Sequence, residues 1–171
     1  MKPSFWHRLD KFARDLTPFG LTFALLVIDA VPFHIPGFAQ VAPLLPLIGI
    51  YFWSVYRPDL MPTVAVFLLG ILHDFLAGLP VGVSAVTFLA VQGAGLAQRG
   101  FFFGKSFLMV WFGFVIVAAG ALSIQWLLIS IVSGDFVDAR SALYQYGLTA
   151  AVFPVLAWLL TRWQNAFLQV E

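Results

Sequence analysis

Long uncharged intervals separated by short charged or turn-forming stretches dominate the chain. No Asp, Glu, Lys or Arg occurs in 16–28, 30–56, 60–73, 75–98, 106–134 or 141–161. Pro32, Pro36 and Gly37 interrupt the second interval, which divides into a helix ending near Phe33 and another starting near Val41. A bilayer span needs about 20 apolar residues, so the pieces predict six transmembrane helices. Their expected bounds are 17–33, 41–57, 61–78, 83–99, 106–133 and 143–163, the fifth long enough to imply tilt. Ahead of them, Phe5, Leu9, Phe12, Ala13 and Leu16 recur at helical spacing, with Arg8, Asp10, Lys11, Arg14 and Asp15 on the other face. This pattern predicts an amphipathic helix over 1–16 lying in the inner membrane interface. A secretory signal is the rival explanation of the basic start. The long charged prefix, the lack of a small-x-small site after Ala30 and the further spans argue against it.

Composition turns this pattern into a class. The 171 residues are 61% hydrophobic and only 10% charged, with mean hydropathy +0.95, whereas soluble domains carry about 25% charged residues. The expectation is a single integral-membrane domain over 1–171. A net charge of +1 gives no basis for nucleic-acid binding. Absence of cysteine removes disulfides, thiolate catalysis and Cys-ligated metals.

The few charges report orientation. Lys2, Arg8, Lys11, Arg14, Arg57, Arg99, Lys105 and Arg162 fall on one side of the six-span scheme and Arg140 alone on the other, which predicts cytoplasmic termini. Trp53, Trp111, Trp158 and Trp163 are expected as anchors near cytoplasmic ends, with Trp126, Tyr144 and Tyr146 forming an outer belt. The longest outer segment runs from Ser133 to Ala142.

Chemistry concentrates in Gly70-Ile-Leu-His73-Asp74-Phe-Leu-Ala-Gly78-Leu-Pro80-Val-Gly82. A carboxylate near the centre of a spanning helix opposes insertion by about 2.5–3.5 kcal/mol, so Asp74 calls for a role. Gly70, Asp74 and Gly78 recur every fourth position and share one face, which can approach another backbone. Asp74 lies thirteen residues after Met61, roughly 20 Å into its span and past the midplane. A structural role, as an N-cap for the turn after Gly78 or a lock that bonds neighbouring backbone N–H groups, is preferred to binding a partner's polar group or to a proton relay, because polar side chains in membrane bundles act as interhelical glue. Pro80 and Gly82 set a reversal, with Ser84 the expected N-cap of the next helix.

His73 points about 100° away from Asp74 and reads as packed or interfacial. Asp29, before Pro32, reads as an interface residue, and nothing in the sequence forces it into a dyad with Asp74. No HExxH, GxSxG or metal-spaced histidine pair is present, so no catalytic residue, metal site or cofactor is assigned. Small residues cluster on the fourth helix, at Ala90, Gly93, Ala94, Gly95 and Ala97, and on the fifth, at Gly113, Ala118, Ala119, Gly120, Ala121 and Ser123, and read as internal packing positions.

Taken together, these segments resemble the MreD family of rod-shape-determining membrane proteins. Pro43, Leu44 and Leu45 leading to Tyr51-Phe52-Trp53 and then Arg57-Pro58 are similar to that family's apolar run, Tyr-Trp pair and helix-end turn. Gly70-x-x-x-Asp74-x-x-x-Gly78-x-Pro80-x-Gly82, followed by Ala85, looks like its most recognisable segment, and Pro154 and Arg162 agree with its last helix. Phe52 between Tyr51 and Trp53, and His73 in place of a smaller or amide side chain, depart from the pattern. The resemblance implies an all-α membrane bundle like the S-component fold of energy-coupling-factor transporters. It also implies a non-enzymatic inner-membrane scaffold of cell-wall elongation and peptidoglycan synthesis. Its expected partners are MreC, MreB, RodA and penicillin-binding protein 2, with MreC gripped in a groove of small residues whose outer end Asp74 and the Gly78–Gly82 turn shape.

The alternative is the substrate-binding membrane subunit of a vitamin transporter. Such subunits carry Ala-x-x-x-Ala on the first helix, whereas here Ala24 is followed four residues on by Ile28. Short, donor-poor outer loops also suit a polar ligand badly. An intramembrane enzyme acting through Asp29 or Asp74 is the third class.

Overall fold

In the computed structural model, which describes residues 5–31 and 41–167, the chain is all helical. Six α-helices follow one another: α1 Phe5–Ala30, α2 Leu45–Tyr56, α3 Thr63–Ala77, α4 Val83–Phe102, α5 Phe107–Ser133 and α6 Ala139–Phe167. A 3-10 turn at Pro58–Leu60 joins α2 to α3, and no strand occurs among the described residues. The expected turn at Pro32, Pro36 and Gly37, with His34, lies outside the described residues, as do Lys2 and the last residues of the first expected span.

Two helices, α5 and α6, are long and apolar enough to cross a membrane by length and composition. At 1.5 Å per residue their 27 and 29 residues span roughly 40 Å or more. The shorter apolar helices have 12 and 15 residues in place of the full-length spans expected at 41–57 and 61–78. Turn chemistry shortens them. Arg57-Pro58 ends α2, and Gly78 in the left-handed conformation (φ 66°) ends α3.

The expected boundary between an interfacial helix at 1–16 and a span from 17 is absent. Phe5–Ala30 is one unbroken helix with Pro18 inside it. The Thr17 hydroxyl donates to the Ala13 carbonyl (3.0 Å) and that of Thr22 to the Pro18 carbonyl (2.9 Å), so hydroxyls support the turns around the proline. The first part of this helix is uncovered, with Phe5, Trp6 and Phe12 exposed.

The core forms around α2 and α4. Every residue from Pro46 to Val55 is buried, as expected of a helix apolar all round. α4 packs against α2, α3 and α5, and α1 covers α2. Glycines mark the crossings. A Cβ on Gly95 would stand 2.8 Å from Ser54 Cβ, and one on Gly113 would stand 2.5 Å from the Phe102 ring. Both positions therefore let helices approach where a methyl group would separate them. The outward faces remain apolar, with Phe67, Leu68, Phe75, Phe112, Ile116 and Leu127 exposed.

The tryptophans divide differently from the expected belt. Trp53 is fully buried in the core, with its indole nitrogen unpartnered among the described residues, so it is no interface anchor. The reason is that α2 is enclosed on all sides. Trp158 and Trp163 are exposed, and the Arg162 guanidinium lies 5.2 Å from the Trp158 ring centroid. Trp111 donates from Nε1 to the Ala150 carbonyl at 3.0 Å. Pro154 lacks the N–H that a helix would direct to that carbonyl, so the indole on α5 occupies the gap proline leaves in α6.

Candidate functional site

The ends of α1 and α3 meet the beginning of α4 in a polar cluster. Gly78 turns the chain out of α3 by its positive φ, and Leu79 N–H bonds back to the Asp74 carbonyl at 2.9 Å. Pro80 and Val81 follow, then Gly82 with φ 104° starts the return. Only glycine adopts that conformation without strain. The reversal carries the first N–H groups of α4 over the Asp74 side chain.

Asp74 is fully buried and uses both oxygens on those groups. Oδ2 accepts from Gly82 N–H at 2.8 Å and Oδ1 from Ser84 N–H at 2.9 Å. Helix N-termini expose unsatisfied donors and a partial positive charge, and a carboxylate answers both. Asp74 thus caps α4 from a neighbouring helix. The expected cap, Ser84, lies inside the helix instead, because Gly82 ends the turn two residues earlier and holds the cap position.

Four residues before Asp74 on the same face, Gly70 lets the two backbones touch. A Cβ there would fall 2.4 Å from Ala85 Cα and 2.7 Å from Ala85 N. Close approach at Gly70 and the carboxylate cap at Asp74 therefore act together to fix α4 on α3. Gly78 and Gly82 shape the turn, and Pro80 is half-buried within it.

His73 belongs to the same cluster, which the sequence did not reveal. Its Nδ1 lies 2.8 Å from Ser84 Oγ and its Nε2 lies 3.0 Å from Asp29 Oδ2. The imidazole thus links α1 to the start of α4, and its two ring nitrogens exchange donor and acceptor roles with the tautomer. The Asp29 side chain is only 10% exposed, which corrects its expected place at a solvated interface. Asp29 pairs with His73, not Asp74. The 100° that separates consecutive helical residues explains the division: Asp74 faces the start of α4 while His73 reaches α1. Spacing along one helix shows such divergence but not which neighbour receives each side chain.

A serine, an imidazole and a carboxylate in hydrogen-bonded sequence invite comparison with a hydrolase triad. Here the arrangement is closed. Ser84 is fully buried, and the N–H groups beside it, on Gly82 and Ser84, are already bonded to Asp74. Neither of those two donors is free to receive a developing oxyanion. Among the described residues no group of three or more His, Cys, Asp or Glu side chains could hold a metal ion.

The other signature residues lie elsewhere in the bundle. Tyr51 is buried and its hydroxyl donates to Gln98 Oε1 at 3.0 Å, joining α2 to α4. Trp53 is two positions on in the core. Arg57 and Pro58 form the half-buried turn out of α2, where Arg57 Nε stands 3.9 Å from Asp59 Oδ2. Gln92 Nε2 donates to the Met61 carbonyl at 2.8 Å and holds the next turn against α4. Comparison with protein-family models, curated proteins and solved structures gives no significant match.

Proposed function

We propose that the chain is a multi-pass inner-membrane scaffold of the MreD type, with six spans, both termini cytoplasmic and no catalytic activity of its own. In this reading it binds MreC and supports MreB, RodA and penicillin-binding protein 2 in cell-wall elongation. The observation that carries it is Asp74, whose two oxygens are both engaged by the α4 N-terminus at the Gly70–Ala85 contact. A carboxylate held in this way sets the geometry of a turn, because each of its oxygens is tied to a backbone N–H at the start of α4. The exposed apolar flanks of α3 and α5 supply surface for lipid and for a partner's transmembrane helix. Since Gly70 and Asp74 are occupied within the chain, MreC would rest on the outer surface of the α3–α4 pair and the exposed turn at Gly78 and Val81.

Depletion in the native host, followed by microscopy, tests the role: rods become spheres, whereas unchanged shape rejects it. Co-purification with MreC from detergent tests the partner. Val81→Lys should reduce recovery with the fold intact, and unchanged recovery rejects that surface. One observation favours the vitamin-transporter alternative: a cavity of about 400 Å³ between α5 and α6. A water-soluble small molecule retained in native mass spectra would support it.

A further inference from the structure

Two cavities lie between α5 and α6. One, of about 400 Å³, has polar walls from Gln125, Asp138, Ser141 and Gln145. The other, of about 280 Å³, is bounded mainly by apolar groups, among them Ala119 and Leu143, with Tyr146. Leu122, Trp126 and Ala142 line both, which makes them two chambers of one cleft.

Three buried side-chain atoms lack a hydrogen-bond partner among the described residues, Trp53 Nε1, Gln125 Oε1 and Ser130 Oγ, and of these Gln125 lines the polar chamber. It is 6% exposed. Buried polar atoms are nearly always paired, so an orphan beside a cavity points to something that enters the cavity. Water alone would satisfy the oxygen but leave the apolar chamber unfilled, since water needs two to four polar partners.

The walls restrict the occupant. No Lys or Arg lines either chamber, and the one carboxylate among the lining residues is Asp138, so a phosphate would meet a carboxylate without a compensating cation. A hydroxyl group both donates and accepts, and pairs with the glutamine amide in either orientation. Trp126 gives its N–H to the Val137 carbonyl at 3.0 Å and offers the cleft its apolar ring.

We propose that the α5–α6 cleft binds an uncharged amphiphile of the acylglycerol class. Its hydroxyl-bearing head hydrogen-bonds Gln125 in the polar chamber, and its chain passes Trp126 and Ala142 into the apolar one. The site is separate from the Asp74 cluster and does not depend on the role in cell shape.

The full chain in phosphatidylcholine nanodiscs, titrated with monooleoylglycerol and examined by native mass spectrometry, tests this. A saturable one-to-one adduct is expected, weakened at least about tenfold by Gln125→Leu and lost in Ala142→Trp. Monoacylglycerol brominated on its chain supplies a second measurement: it quenches tryptophan fluorescence of the parent, and the quenched fraction falls in Trp126→Phe. Absence of an adduct, equal binding by parent and Gln125→Leu, displacement by dioleoyl phosphatidic acid, or quenching unchanged in Trp126→Phe would each overturn the proposal.

Discussion

The α3–α4 turn and the α5–α6 cleft handle buried polarity in opposite ways. In the first, His73 links Ser84 to Asp29, and Asp74 takes up two backbone donors at the start of α4. In the second, a glutamine oxygen is buried beside open volume with no protein partner. Polar groups inside an apolar bundle are expensive unless paired. A closed cluster therefore holds the fold, and an orphaned group beside open volume is where the proposed ligand would sit.

The strongest test of this contrast is removal of the Asp74 cap. Asp74→Ala strands the Gly82 and Ser84 N–H groups, at about 1–3 kcal/mol each, for a loss of about 2–6 kcal/mol. Asp74→Asn keeps one accepting oxygen and should lose about half as much. Unfolding of detergent-solubilised protein in sodium dodecyl sulfate, followed by circular dichroism, measures both. Equal, negligible losses would mean that the carboxylate does not hold α4.

Next comes Gly70. An added methyl meets the Ala85 backbone and not a movable side chain, so Gly70→Ala should destabilise by about 1–3 kcal/mol as the helices separate. Because the obstacle is Ala85 Cα and N, the second change Ala85→Gly should give no rescue. Recovery of stability in the double variant would show that the contact is between side chains after all.

Helix positions were readable because charges and prolines punctuate apolar runs. The start of α4 at Val83 and the end of α5 at Ser133 agree with the expected bounds. Depth within the bundle was not readable. The segment around Trp53 is apolar on every side, and such a pattern describes a core helix as well as a lipid-facing one. The amphipathic pattern ahead of Thr17 did not reveal that Pro18 is carried within a continuous helix. At the candidate site, the four-residue spacing of Gly70, Asp74 and Gly78 disclosed a shared face. The His73–Asp29 pair, 44 residues apart in sequence, depends on tertiary placement that spacing does not encode.

A third effect, of similar size, lies between α5 and α6 outside both regions. Trp111 replaces the helical N–H that Pro154 cannot give, so Trp111→Phe should cost about 1–3 kcal/mol by orphaning the Ala150 carbonyl. Pro154→Ala restores a backbone donor for that carbonyl, and in its presence the same tryptophan change should matter much less. A double-mutant cycle reads this coupling directly. Strict additivity would mean that the indole bond and the proline gap are unrelated.

Gln125→Leu should have the smallest effect on stability. The change replaces an amide whose buried oxygen is unpaired with an apolar group of similar length, and such replacements are close to neutral or stabilising, within about 1 kcal/mol. Asp74 and Gln125 are both buried polar residues, so burial alone would predict similar losses; their bonding predicts very different ones. The two variants, measured under the same denaturant titration, decide between these views. A large loss in Gln125→Leu would show that its amide is bonded within the fold and would remove the orphaned oxygen as a mark of a ligand site.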